Sequence, residues 1–125
     1  MDLAQKVQEY LNTNSLNGKE LNNTGKFVTK IDDNGDESIT YWDISIAQPS
    51  DADLTAAESV VNQLIADAKL EALKIERNKK LAETDYWMFS DTSTATQAQL
   101  DYRQALRDIT NTYTSLDDVV WPTKP

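Results

Sequence analysis

The sequence predicts an α+β fold: an N-terminal short helix and β-hairpin, one long central helix, and a C-terminal helix with an aromatic cluster and an extended, proline-bounded tail. Three observations carry that expectation. Two β-prone runs, FVTKI and SITYWDISI, flank Asn34-Gly35, a strong short-range hairpin cue. From Leu54 to Ala82 there is neither Gly nor Pro, and Ala, Leu, Glu, Lys and Gln abound, which favours an unbroken helix. The stretch Glu83–Phe89 then packs three rings into ETDYWMF, and a second helical pattern leads on to Pro122 and Pro125.

In chain order, Leu3, Ala4, Val7, Tyr10 and Leu11 form one apolar stripe over residues 2–11, with Asp2 placed as an N-cap. So short a helix is marginal alone and needs a docking surface. Residues 12–26 are dominated by Asn, Gly, Ser and Thr and read as a connector with a short turn at Lys19–Leu21, in which Gly18 and Gly25 are suited to positive φ. In the first strand Phe27, Thr29 and Ile31 share a face. In the second, Ile39, Tyr41 and Asp43 share one face and Thr40, Trp42 and Ile44 the other. The turn acids Asp32, Asp33, Asp36 and Glu37 invite a calcium loop. Counting from Asp32, however, Glu37 falls where the EF-hand needs Gly and Asp43 falls where it needs Glu. An ordinary solvated turn is expected. Gln48-Pro49 ends the strand, and Ser50 or Asp51 caps the long helix.

That helix carries apolar residues at Leu54, Ala57, Val61, Leu64 and Ala68, and the stripe then slips to Ile65, Ala68, Ala72 and Ile75. Two readings stand: an amphipathic helix packed on the hairpin or on the C-terminal helix, or a seam that makes a homo-oligomer or binds a partner through residues 54–82. Its start carries Asp51, Asp53 and Glu58, and its end Lys69, Lys74, Arg77, Lys79 and Lys80. This order suits the helix dipole, and the basic end is also a candidate anion or partner patch. Tyr86, Trp87 and Phe89 either close a local core or anchor an interface. Ser93 or Thr94 is expected to cap a helix reaching Ile109, with Leu100, Tyr102, Ala105, Leu106 and Ile109 buried; Trp121 anchors the extended tail. The domain organisation expected is residues 1–49 for the first helix and hairpin, 50–82 for the long helix, and 77–125 for a C-terminal module.

The 125 residues include 21 acids against 12 bases, a net charge of −9. Nucleic acid is excluded as a main partner, because phosphate neutralisation needs clustered Lys and Arg. Cys and His are both absent, so there is no disulfide framework, no thiolate nucleophile and no imidazole base or ligand. No catalytic, cofactor or metal set is expected. The acid pairs Asp32 with Asp36 and Asp117 with Asp118 lack any accompanying nucleophile or base. No run approaches the roughly 18 apolar residues of a membrane span, and MDLAQKVQEYL lacks the basic start and apolar core of a signal peptide. Cytosolic synthesis is the expectation. Apolar residues make up 39%, below the ~45–50% of a typical compact domain, so the core should be thin or completed by another chain.

Three blocks in the last third, LAETDYW at Leu81–Trp87, YRQALRDI at Tyr102–Ile109 and VVWPTKP at Val119–Pro125, resemble the tail assembly chaperone and tail fibre assembly proteins of tailed bacteriophages. Family members often carry a proline-containing loop after the aromatic block, where this chain has SDTSTAT. The resemblance implies a non-enzymatic protein that works by contact on a phage tail fibre or tail protein in the host cytoplasm. A minor structural component of the virion is the alternative. The expected partner-binding residues are Tyr86, Trp87, Phe89 and Trp121.

Overall fold

A computed structural model describes all 125 residues, Met1–Pro125. The elements are helices α1 (Leu3–Thr13) and α2 (Gly18–Asn23), strands β1 (Phe27–Ile31) and β2 (Glu37–Trp42), and helices α3 (Asp51–Ala82), α4 (Gln97–Arg107) and α5 (Ile109–Thr112), with a 3₁₀ turn at Asp85–Met88 before α4. They group into two compact units, Met1–Gln63 and Leu64–Pro125, whose boundary falls inside α3.

In the first unit, Asp2 and Gln5 form a reciprocal capping box at the start of α1, and the Leu3 amide donates to Glu37 Oε2 at 2.8 Å. The helix ends in a Schellman arrangement: the Leu16 amide reaches Leu11 O at 3.0 Å and the Ser15 amide reaches Asn12 O at 3.1 Å, with Ser15 at φ 62°. The expected connector over 12–26 holds a helix of its own, α2. Its signals are present in the sequence but compressed into six residues. Asn17 caps it by accepting from the Glu20 amide, and Gly25, at φ 70°, closes it with a second Schellman arrangement in which Lys26 N donates to Leu21 O at 2.9 Å. Gly18 serves differently from expectation. A Cβ there would lie 2.2 Å from the Gln8 carbonyl oxygen, so its role is the close crossing of α1 and α2 rather than a left-handed turn.

The hairpin pairs β1 and β2 antiparallel, from Phe27 opposite Trp42 to Ile31 opposite Glu37. Its connection is Asp32–Asp36, longer than a two-residue turn. Gly35 alone takes positive φ, 88°, while the Asp32 carboxylate accepts the amides of Asn34 and Asp36 at 2.8 and 2.9 Å. A bulge between Val28 and Thr29 sets Val28 opposite Tyr41 but Thr29 opposite Ile39, leaving Thr40 as the extra residue of β2. Strict alternation put Ile39 and Trp42 on opposite faces; the bulge brings both inward onto Phe27, Val7 and Leu11. β2 also stops at Trp42 instead of running to Ile46, since β1 begins at Phe27 and offers no strand beyond it. The chain bends back, and the Trp42 indole N–H donates to Ile46 O at 2.8 Å. Ile44, Ile46 and Leu54 complete this small core.

The long helix starts where expected. Ser50 and Asp53 bond reciprocally, Ser50 N donating to Asp53 Oδ2 at 2.9 Å and Asp53 N to Ser50 Oγ at 3.2 Å. In the second unit Trp87, Tyr102 and Leu106 form the core, with Leu81 and Trp121 packed against it. Helix α4 begins at Gln97, not after Ser93 or Thr94. Thr96 and Gln99 make a capping box there, the Thr96 hydroxyl accepting from the Gln99 amide and the Gln99 side chain accepting from the Thr96 amide. The helix stops at Arg107, and the chain resumes as the single turn α5, with Ile109 buried.

Candidate partner-binding surface

The sequence after α3 is Glu83-Thr84-Asp85-Tyr86-Trp87-Met88-Phe89. Its tight 3₁₀ turn sends neighbouring side chains in opposed directions. Thr84 is fully buried and donates its hydroxyl to Leu81 O at 3.0 Å, closing the end of α3. Trp87, 8% exposed, points into the core and meets Tyr102 edge-to-face at 6.0 Å between ring centroids. Tyr86, Met88 and Phe89 point outward, Phe89 being 57% exposed. The four expected anchors therefore divide: Tyr86 and Phe89 stand in solvent, while Trp87 and half-buried Trp121 form the floor beneath them.

That floor is held by a residue the sequence did not single out. Arg103 is buried in α4; its Nη1 donates to Leu81 O at 3.0 Å and to Thr84 Oγ1 at 2.7 Å, and its Nη2 pairs with Asp85 at 3.0 Å. One guanidinium thus ties the C-terminus of α3, the 3₁₀ turn and α4 together, with the planar fork that only Arg supplies. The signal available was its place beside Tyr102 and three residues before Leu106, on the buried face. The sequence reading instead put Leu100 in that stripe. Two positions from Tyr102 on a helix is nearly the opposite face, and Leu100 is exposed.

Leu100 joins Trp87, Met88, Phe89 and Ala95 in lining a shallow depression, beside a second one bounded by Tyr86, Trp87, Thr94 and Gln99. The loop between is braced by Thr92, whose hydroxyl donates to the carbonyls of Phe89 and Tyr86 at 2.8 and 3.1 Å. Two lysines lie over the indoles, Lys80 at 5.0 Å from the Trp121 ring and Lys124 at 5.8 Å from that of Trp87. Burial, with a smaller push from Glu83, raises the Tyr102 phenol above its ordinary value, so it stays neutral at physiological pH.

The acids considered for chemistry have structural work. Asp32 holds the hairpin turn, and Asp117 pairs with Lys69 at 2.8 Å. The hydrogen bond from Lys69, then one from Ser115, holds the Asp117 carboxyl below the usual range. No group of three acidic side chains converges on a metal-sized site, and no helix is long and apolar enough to cross a membrane.

Residues 70–125 match the family model described as phage tail assembly chaperone protein, and residues 20–65 match the one described as XkdW protein. Residues 70–125 are thus similar to the phage tail assembly chaperone family. The chaperone match contains the whole surface just described, from Arg103 and the 3₁₀ turn to Trp121. The two matches end at 65 and begin at 70, close to the division of the chain into its two units. Neither a curated protein nor a solved structure matches the chain significantly. The family names support a general role in phage tail assembly.

Proposed function

We propose that this protein is a tail assembly chaperone that works in the host cytoplasm by holding a tail fibre or tail subunit against the surface of Tyr86, Met88, Phe89 and Leu100, with Trp87 and Trp121 as its support. The observation that carries the reading is the exposure of two rings and a Met side by side on backbone that Arg103 and Thr92 fix in place. Rigid aromatic side chains give contact area at low entropic cost, and exposed apolar patches on a soluble body mark interaction sites. The net charge of −9 keeps such a surface dispersed.

The test is co-expression with tail fibre and tail subunits, followed by pull-down and measurement of soluble fibre. Tyr86→Ser with Phe89→Ser should lower capture at least tenfold while leaving the circular dichroism unchanged, because neither side chain is in the core. Undiminished capture by that variant would reject the surface. Stoichiometric recovery of the protein from purified virions would favour a structural part of the particle over a chaperone.

A further inference from the structure

The chain holds two Asn-Gly pairs, Asn17-Gly18 and Asn34-Gly35. Asn is a thermolabile side chain, and a following Gly makes it more so, because no Cβ shields the next amide nitrogen from the side-chain carbonyl. As sequence the two pairs are equivalent; the fold separates them. The Asn17 side chain caps α2, accepting from the Glu20 amide at 3.1 Å. Gly18 is buried, its amide donates to Asn12 Oδ1 at 3.0 Å, and the Gln8 backbone fills the space where a Cβ would stand. Asn34 has none of these restraints. It and Gly35 are exposed, no hydrogen bond holds its carboxamide, and nothing lies within 4 Å of the Cβ position of Gly35. The Gly35 amide donates to Asp32 O at 3.0 Å, in a turn open to water, and local opening frees a bond of that kind.

We propose that Asn34 is a site of spontaneous deamidation and that Asn17 is not. The Gly35 nitrogen, its proton taken by hydroxide, attacks Asn34 Cγ. The Cγ–Nδ2 bond breaks, the side-chain nitrogen leaves as ammonia, and a five-membered succinimide closes. Water then opens either of its two carbonyls. One opening gives aspartate at position 34; the other gives an isoaspartyl link, in which the main chain runs through Cβ. Both add a negative charge beside Asp32, Asp33, Asp36 and Glu37, and nothing is oxidised or reduced. The isoaspartyl link also lengthens the connection by one carbon. That displaces the Asp36 amide from the Asp32 carboxylate, which accepts it at 2.9 Å and shapes the turn. The site lies within the first unit and uses none of the residues assigned to tail-protein contact, so it stands or falls separately from that reading.

The test is to hold the whole chain folded in warm, mildly alkaline buffer for several weeks, with a parallel sample unfolded in guanidinium, and to map both by tandem mass spectrometry of their peptides. In the folded chain Asn34 should gain the single mass unit of deamidation at least tenfold faster than Asn17, and as two products of equal mass. In guanidinium, where both pairs are free, the gap should shrink to about threefold or less. An Asn34 that resists while folded, an Asn17 that keeps pace with it, or a gap that persists without the fold overturns the proposal. Aspartate as the lone product would mean direct hydrolysis and would overturn the succinimide route.

Discussion

Two side chains, or the lack of one, settle much of the local geometry. Gly18 matters for the hydrogen it bears in place of a Cβ, because the backbone of Gln8 passes where that carbon would stand. Gly18→Ala should therefore cost about 1–3 kcal/mol, the range for overpacking, read as a lower denaturation midpoint of the first unit; an unchanged midpoint would show that the crossing yields without strain. Arg103 satisfies Leu81 O and Thr84 at once and salt-bridges to Asp85, which is itself half exposed. Arg103→Leu should cost about 2–4 kcal/mol by stranding buried acceptors. Arg103→Lys should recover little of it, since one ammonium cannot span three acceptors. Recovery to wild-type stability by lysine, measured by urea denaturation, would mean that charge alone matters. Neither role was open to composition: a Gly in an Asn-rich run and an Arg in a helix look ordinary until the third dimension supplies their neighbours.

Among the elements, the sequence was clearest where one periodicity ran long. The bounds of α3 follow from an absence of breakers and from Ser50 and Asp53. The capping hydrogen bonds from the Ser50 amide and hydroxyl hold the Asp53 carboxyl below its ordinary value. A lowered carboxyl stabilises the fold above the unfolded Asp range, and that stabilisation is lost as pH falls through the lower folded value. Ser50→Ala removes the hydroxyl but keeps the Ser50 amide, which contributes more, so the Asp53 titration should move only part of the way toward the ordinary range and the acid sensitivity of the first turn of α3 should weaken, both visible by NMR; an unmoved titration would show that the hydroxyl contributes nothing. Helix α2 escaped notice because six residues give too little periodicity to outweigh the five Asn of residues 12–26, although Asn17 and Gly25 bracket it. The hairpin was legible as a pair of strands and not as a register. A single extra residue, Thr40, turns Trp42 to the face of Ile39, and no pattern of period two contains that information.

For the molecule as a whole, the thin apolar content expressed itself as two small cores, one around Phe27, Val7 and Leu11 and one around Trp87, Tyr102 and Leu106. The acidic balance argued against nucleic acid, and the absence of His and Cys removed the commonest base and metal ligands; the expectation of a role by contact came from the family resemblance. The C-terminal blocks that suggested phage tail assembly lie where that family model matches. What the blocks could not say was how their rings divide between floor and surface, because the direction of a side chain in a 3₁₀ turn depends on which neighbour, here Arg103, pins the backbone. Trp42 is the sole indole of the first unit, whereas Trp87 and Trp121 both belong to the second. Nature has thereby given each half its own fluorophore: replacing Trp42 by Phe silences one optical channel, replacing the other pair silences the second, and the melting of either half can be followed with no added dye.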